Sequence, residues 1–236
     1  MDKEPIIALD FSTLEEVMAF LNYFPNKKLN LKVGMELFYQ HGPQILYTLK
    51  NNGHDIFLDI KLHDIPTTVK KAMAGIAGMG VDMINLHAAG GRKMMESAKD
   101  GLISGTQKGR KTPTLIAVTQ LTSTTEEMIK QEQKINSSIE ESVLNYARLA
   151  SESGMDGIVC SALEAEKVKK KLGESFLRVT PGIRLKQDKN NDQKRIATPI
   201  EARKLGASQI VVGRTITQSK DPVNMYLKIL KQWNGE

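Results

Sequence analysis

The sequence predicts a single-domain (β/α)8 barrel, an α/β fold in which eight parallel strands are each followed by a helix. Short apolar runs alternate with longer stretches of helical periodicity along the whole chain, which is typical of consecutive βα units. Eight such runs occur in 236 residues, close to the roughly 250 residues usual for this barrel. Polar residues interrupt the runs mainly at their C-terminal ends, where such barrels carry their functional groups. We therefore expect one domain over residues 1–236, with a site at that end.

The candidate strands are short runs of β-branched and other apolar residues. In chain order they are Pro5–Asp10, Leu29–Gly34, Asp55–Leu62, Met83–Ala88, Thr114–Leu121, Gly157–Ala162, Phe176–Pro181 and Gln209–Gly213. Four glycines precede strands, as caps of helix C termini would: Gly53, Gly80, Gly154 and Gly206. The helical pattern is illustrated by Ile139–Ser153, in which one face is apolar.

Composition is ordinary for a globular protein, with 40% hydrophobic and 25% charged residues. The N-terminal sequence MDKEPIIALDF lacks a basic segment followed by a long apolar one, and no apolar run is long enough to span a bilayer. These features predict a cytoplasmic protein. The one cysteine, Cys160, has no partner for an internal disulfide, and we interpret it as a small buried apolar side chain.

The chain is basic, with a net charge of +6 and an isoelectric point near 9.2. A basic chain can bind nucleic acid, but the lysines are scattered over polar segments without a long basic block, so we expect no nucleic-acid partner. Binding through surface lysines would give an affinity that falls steeply with salt. A positive field also favours capture of a small phosphorylated anion.

The segment DIFLDIKLHDIPTTV, residues 55–69, places charges inside an apolar, strand-like run. Because strand side chains alternate faces, Asp59 and Lys61 share a face with Phe57, and the opposite face is apolar. Taken alone, the D-x-K-x-x-D pattern of Asp59, Lys61 and Asp64 is more often a structural ion pair than a reactive group. The polar residues that end the other strands favour a functional site instead.

These other residues are Asp10 after the first strand, Lys32 near the end of the second, His87 at the fourth, Thr122 after the fifth, and Arg184 and Arg214 after the seventh and eighth. The turns PGIR and VVGRTI occupy the loops after strands seven and eight, where barrels commonly bind phosphate. Gly213 permits close backbone approach there, and Arg214 supplies a guanidinium group suited to phosphate. From the polar stretch 186–195, Gln193 is a further candidate phosphate ligand.

The order of charges around Lys61 indicates its chemistry. Carboxylates on both sides of it in sequence favour the ammonium form, which makes it a proton donor rather than a Schiff-base amine. Asp59 beside it would repel an anionic substrate. Such repulsion is useful if the substrate's anionic group leaves as a neutral molecule, as in decarboxylation.

Six segments together resemble the bacterial orotidine 5'-phosphate decarboxylases. They are ALDF near the N terminus, KVG at Lys32, DIKLHDIPTTV, TPGIR at residues 180–184, DQKR at residues 192–195 and VVGR at residues 211–214. The match covers nearly the whole chain in the family's order. The resemblance implies a homodimeric lyase of pyrimidine (UMP) biosynthesis that converts orotidine 5'-monophosphate to uridine 5'-monophosphate and CO2 without a metal or other cofactor.

The resemblance also implies a role for each matching residue. Lys61 would protonate C6 of the pyrimidine as a vinyl carbanion forms, and Asp59 would lie beside the leaving carboxylate. Asp64 and Thr68 would reach into the partner subunit's active site, and Asp64 would also hold Lys61 in place. The remaining positions would bind substrate: Asp10 and Lys32 the ribose hydroxyls, Thr122 the pyrimidine, Gln193 and Arg214 the phosphate, with Arg184 supporting the phosphate loop.

Two other functions stay open at this point. A related sugar-phosphate lyase or synthase shares the D-x-K-x-x-D core but uses magnesium to stabilise an enediolate, so loss of activity after chelation would favour it. A non-catalytic barrel that binds a sugar phosphate would explain Arg214 but not the charged triad. The segments DIPTTV and DQKR favour the decarboxylase.

Overall fold

The computed structural model describes residues 1, 3–185 and 196–236, which form a closed barrel of eight parallel strands. Neighbouring strands in the sequence are neighbours in the barrel, and the last strand pairs with the first. The strands are β1 (Ile6–Leu9), β2 (Asn30–Gly34), β3 (Asp55–Leu62), β4 (Met83–His87), β5 (Thr114–Val118), β6 (Gly157–Val159), β7 (Leu177–Thr180) and β8 (Gln209–Val212). The predicted fold class is confirmed, and every strand lies within its predicted range.

Helices connect the strands and cover the outside of the barrel. They are α1 (Leu14–Leu21), α2 (Met35–His41), α3 (Pro43–Asn51), α4 (Pro66–Ala77), α5 (Gly91–Gly105), α6 (Glu126–Gln131), α7 (Ile139–Glu152), α8 (Ala162–Leu172), α9 (Pro199–Lys204), α10 (Arg214–Thr217) and α11 (Pro222–Asn234). The four glycines predicted as caps all have positive φ, between 78° and 87°. No helix in the described ranges has the length and apolar composition needed to cross a membrane.

The apolar core has two layers. The larger one lies between the strands and the helices, where α7 contributes Val143, Ala147 and Ala150. The smaller one fills the barrel interior and consists of Ile6, Ala8, Phe57, Met83, Ile116, Val179 and Val211. Four of these interior residues also line the cavity at the C-terminal ends of the strands, so the interior layer forms its floor.

Strand β3 is irregular where it enters the cavity. Its pairing with β4 runs from Leu58 opposite Ile84 to Leu62 opposite Leu86, so β3 spans four residues where β4 spans two. Lys61 lies in this bulge with φ of 48°, in the left-handed region. Asp59 and Lys61 line the cavity together with Phe57, as predicted, but the regular strand geometry expected through Leu62 is interrupted.

Candidate active site

A cavity of about 400 Å³ opens at the C-terminal ends of the strands. Eight positions predicted for the site line it: Asp10, Lys32, Asp59, Lys61, Thr122, Arg184, Gly213 and Arg214. These positions come from β2, from β3 and from the segments that follow β1, β5, β7 and β8. The fold therefore brings residues more than 200 positions apart in sequence into one cavity.

Four of these side chains form a row of alternating charge. Lys32 Nζ lies 3.5 Å from Asp10 Oδ1 and 3.4 Å from Asp59 Oδ2, and Lys61 Nζ lies 2.7 Å from Asp59 Oδ1. The Asp59 and Lys32 side chains are only 13% and 14% exposed, whereas that of Asp10 is 51% exposed. The row thus runs from the solvated mouth of the cavity to a largely desolvated ion pair.

Asp59 is the most strongly buried charge of the row. Burial by itself would raise the pKa of its carboxyl, but the charges of Lys32 and Lys61, with hydrogen bonds from Lys61 and Asn85, bring that pKa below its ordinary value. Asp59 is therefore a carboxylate at neutral pH. A substrate anion placed against it would meet a fixed negative charge in a partly desolvated site.

Sequence reasoning missed Asn85, a residue of β4 that is only 1% exposed. Its amide Nδ2 donates to Asp59 Oδ1 at 2.7 Å, and its Oδ1 accepts from the backbone N–H of Lys61 at 2.9 Å. The signal available in the sequence was an amide within the apolar run MINLH, at the strand next to the D-x-K motif.

The other end of the cavity is built from the turns after β7 and β8. Arg184 and Arg214 both line it, together with Gly182 and Gly213. A Cβ on Gly213 would lie 3.0 Å from Asp10 Oδ2 and 3.5 Å from the Cβ of Ala8, so a side chain at this position would crowd the cavity wall. Two guanidinium groups beside accessible backbone suit a phosphate group. Gln193, predicted for the same group, lies outside the described residues.

Two predicted residues do not line the cavity of this chain. Asp64 and Thr68 are exposed, and the Asp64 carboxylate accepts a hydrogen bond from the backbone N–H of Ile65 at 2.6 Å. Within the described part of the chain, Lys61 pairs with Asp59 and makes no ion pair with Asp64. The flanking position of Asp64 in the sequence therefore does not translate into contact with Lys61 inside one subunit.

The loop after β5 supplies a second buried amide that the sequence reasoning missed. Gln120 lines the cavity near Thr122, and its Nε2 donates to Gln133 Oε1 at 3.1 Å and to Ser142 Oγ at 3.0 Å. These bonds tie the loop to α7 and to the segment before it. Cys160 is 1% exposed, as predicted for an apolar role, and also lines the cavity.

The acidic side chains of the described residues are not grouped as metal ligands. Among the described residues, no group of three or more His, Cys, Asp or Glu side chains is arranged so that it could hold a metal ion. The acidic residues of the cavity are instead paired with lysines.

Comparison with known proteins agrees with this geometry. A sequence profile described as the orotidine 5'-phosphate decarboxylase / HUMPS family matches residues 3–229. An orotidine 5'-phosphate decarboxylase from Listeria monocytogenes serovar 1/2a is 58% identical over 98% of this chain and 99% of its own length. One from Staphylococcus epidermidis is 59% identical over 97% of both chains. The crystal structure of orotidine 5'-phosphate decarboxylase from Lactobacillus acidophilus superimposes with a TM-score of 0.90 at 42% identity, covering 99% of this chain and 100% of that one. The chain therefore belongs to the orotidine 5'-phosphate decarboxylase / HUMPS family.

Proposed function

We propose that this chain, as one domain of residues 1–236, is the lyase that decarboxylates orotidine 5'-monophosphate to uridine 5'-monophosphate and CO2 in pyrimidine biosynthesis. The observation that carries the proposal is the Lys61–Asp59 pair, with Nζ and Oδ1 2.7 Å apart, in the same cavity as Arg184 and Arg214. Relatives that are 57–59% identical over nearly the full chain bear this enzyme's name, which supports the same reaction here.

The proposed chemistry uses the charges of the cavity. The bond between C6 of the pyrimidine and the carboxyl carbon breaks, CO2 leaves, and the electron pair stays on C6 as a vinyl carbanion. The Lys61 ammonium donates a proton to C6, and the resulting amine regains a proton from solvent. The Asp59 carboxylate faces the substrate carboxylate before cleavage, and the repulsion between them disappears when neutral CO2 forms. No step of this scheme uses a cofactor.

The remaining residues bind the rest of the substrate. Asp10 and Lys32 hold the ribose hydroxyls, and Thr122 lies beside the pyrimidine. Arg214 and Gln193 hold the phosphate, with Gly213 giving its backbone access and Arg184 supporting the loop. This division is consistent with the cavity, in which the acidic and lysine side chains come from β1 to β3 and the arginines from the turns after β7 and β8.

The active form in this proposal is a homodimer with shared sites, since Asp64 and Thr68 are exposed and lie away from their own chain's cavity. Across a two-fold axis each chain would supply these two residues to the other, because an isologous interface makes every contact mutual. The proposed partners are thus the small-molecule substrate and a second copy of the chain.

The direct test is to mix purified protein with orotidine 5'-monophosphate and follow the ultraviolet change on conversion. Lys61→Ala should lower kcat by roughly 100- to 10,000-fold, the usual contribution of a positioned proton donor. Lys170→Ala is the matched control, because Lys170 is an exposed lysine on α8 that pairs with Glu166. Near-normal turnover by folded Lys61→Ala would refute the role of Lys61.

Chelation separates this proposal from the magnesium-dependent sugar-phosphate lyase. Turnover of orotidine 5'-monophosphate should survive dialysis against EDTA, whereas an enediolate-forming enzyme would lose activity and regain it with Mg²⁺. A protein that binds the nucleotide without converting it would be the non-catalytic barrel.

A further inference from the structure

Asn85 holds two parts of the charged motif at once. Its side chain is buried on β4, and both of its polar groups are used: Nδ2 donates to Asp59 Oδ1 at 2.7 Å, and Oδ1 accepts from the Lys61 N–H at 2.9 Å. Asn85 is not among the residues that line the cavity. It therefore contacts the reactive pair from behind.

The bond to the Lys61 backbone explains how β3 adopts its bulge. Lys61 has φ of 48°, a conformation that is unfavourable for a residue with a side chain. The irregular pairing of β3 with β4 at this point leaves the Lys61 N–H without a regular ladder position. The Asn85 carbonyl oxygen is its acceptor and so stabilises the conformation that directs the Lys61 side chain into the cavity.

The bond to Asp59 fixes the other half of the pair. Oδ1 of Asp59 accepts from both Asn85 Nδ2 and Lys61 Nζ, each at 2.7 Å, while Oδ2 faces Lys32 Nζ at 3.4 Å. Both carboxylate oxygens are engaged, so the side chain has little freedom to rotate. The Asn85 amide is neutral, so it stabilises the Asp59 carboxylate by a hydrogen bond and leaves the negative charge in place. A third cation at this position would cancel that charge.

We propose that Asn85 is a positioning residue that fixes the Lys61 ammonium and the Asp59 carboxylate relative to each other for the reaction. The inference rests on the proposed function. A residue with this role contributes to kcat rather than to substrate binding, because the groups it orients act on the reacting carbon and its carboxylate.

Asn85→Ala tests the role directly. We expect kcat to fall about 100-fold, the cost of a displacement near 1 Å in a reacting group, with a much smaller change in KM. Losing the amide donor should also raise the pKa of Asp59. The acid limb of the kcat profile would then move to higher pH.

Asn30→Ala is the matched control, because Asn30 is also a buried asparagine of the barrel, 3% exposed, and donates from Nδ2 to Glu4 O at 3.0 Å. It lies at the start of β2, away from the cavity. This variant should lose thermal stability while its kcat and pH profile stay as in the unmodified chain.

Asn85→Asp is nearly isosteric and covers the case in which Asn85→Ala does not fold. The introduced carboxyl keeps an acceptor for the Lys61 N–H but replaces the donor to Asp59. The titratable groups around it are Asp59, Lys61 and Lys32, with His87 on the same strand and His63 packed against His87. When protonated, the new carboxyl can donate to Asp59; when ionised, it repels Asp59. Activity relative to the unmodified chain should therefore fall as pH rises.

Two results would overturn the inference. The first is that the Asn85→Ala variant folds and has the same kcat and the same pH profile as the unmodified chain. The second is that the Asn85→Asp variant keeps a constant fraction of normal activity at every pH.

NMR titration of the Asp59 carboxyl carbon gives a readout that does not require turnover. The pKa of Asp59 should be higher in Asn85→Ala than in Asn30→Ala. If the unmodified chain fails to convert orotidine 5'-monophosphate but this pKa difference is found, the proposed function fails and the positioning of Asp59 stands.

Discussion

Two histidines of this chain are held in their neutral form by their surroundings. Burial lowers the pKa of His54, with Asp55 opposing and Lys50 adding to the effect. Burial also lowers the pKa of His87, reinforced by His63 and Lys61 and opposed by Asp59. His54 uses its neutral ring, since Nδ1 accepts from the backbone N–H of Leu29 at 3.3 Å.

These shifts predict a pH-dependent stability. A histidine whose pKa is lower in the folded chain than its unfolded value near 6.5 binds fewer protons in the native state. The free energy of unfolding should thus be highest above about pH 6.5 and decline as pH falls through and below that value. Urea unfolding from pH 8 to pH 5.5 would measure the slope.

The variants His54→Gln and His87→Gln should each flatten that slope, because each removes one group that takes up a proton on unfolding. Between pH 8 and 9 both histidines are neutral in either state, so the slopes of variant and unmodified chains should coincide there. A variant slope unchanged between pH 7 and 5.5 would contradict the assignment.

At the scale of single residues, the sequence was informative where a charge broke an apolar pattern. Asp59 and Lys61 were assigned to one face because strand side chains alternate, and both line the cavity. Asn85 was missed because an amide in a strand is a weak signal until its partners are known. The positive φ of Lys61 was not predictable, since lysine carries no preference for that region and the bulge depends on Asn85 from another strand.

At the scale of elements, one hydrogen-bonding arrangement recurs at the N-terminal ends of the strands. The residue just before a strand accepts a hydrogen bond from a backbone N–H of the preceding strand. Asp82 accepts from Ile56 at 2.7 Å, Asp156 from Leu115 at 2.7 Å, and Ser208 from Arg178 at 2.7 Å. These bonds fix neighbouring strands in register at the end of the barrel away from the cavity.

Variants of Asp156 would measure how much this hydrogen-bonding arrangement contributes to the free energy of unfolding. Asp156→Ala removes the acceptor of the Leu115 N–H and the partner of Lys99, whose Nζ lies 3.1 Å from Asp156 Oδ1. We expect a loss of about 1.5–3 kcal/mol in the free energy of unfolding, as for a hydrogen bond to a charged group. Asp156→Asn keeps an acceptor and loses mainly an exposed ion pair, worth about 0–1 kcal/mol.

Chemical denaturation of the two variants would give these values. Because Asp156 is at the far end of the barrel, kcat/KM of either folded variant should equal that of the unmodified chain. Equal stability of both variants would show that the ion pair, and not the bond to the strand, carries the effect.

The turns after β7 and β8 are the part of the cavity that we propose binds the phosphate. Arg214, the first residue of α10, lines the cavity beside Gly213. Arg214→Ala should reduce transition-state binding of orotidine 5'-monophosphate by roughly 2–5 kcal/mol, the cost of truncating one partner of a desolvated charge pair. The phosphate is remote from C6, so its binding energy can be used to organise the site.

Kinetics with the phosphate-free nucleoside provide the control. The unmodified chain should react slowly with the nucleoside, and Arg214→Ala should lose little further activity with it. Comparable kcat/KM for nucleotide and nucleoside on the unmodified chain would rule out a phosphate role for this end of the cavity.

Element positions were predictable from apolar runs and glycine caps, and β2 and β3 end at the predicted residues, but the ends of β5 and β6 were placed too late. The run at β5 was expected to reach Leu121 and ends at Val118, and the side chain of Gln120 beyond it bonds to Gln133 and Ser142. The run at β6 was expected to reach Ala162 and ends at Val159, because Ser161 caps helix α8 and its N–H donates to Glu164 Oε2 at 2.7 Å. Apolar composition alone does not reveal this capping bond.

At the scale of the whole molecule, the barrel was predictable because its repeating βα rhythm is local in sequence. The contributions that a second subunit would make under the proposed dimer are not local. Ile65, between the motif and α4, is 67% exposed, next to the exposed Asp64. Helix α4 packs closely on α5, since any side chain on Gly101 or Gly105 of α5 would clash with the backbone of Lys70 or Ala74. Thr68 lies on this closely packed helix, and both Thr68 and Asp64 are exposed.

Subunit mixing would test whether Asp64 completes the active site of a partner subunit. Lys61→Ala and Asp64→Ala chains should each be nearly inactive as homodimers. After mixing and subunit exchange, a mixed dimer has one site with both defects and one intact site, if Asp64 serves the partner's Lys61. Random pairing of equal amounts gives half mixed dimers with one good site of two, so activity per chain should approach about a quarter of normal. Native mass spectrometry would confirm the exchange. Exchange without any rise in activity would show that each site is built from a single chain.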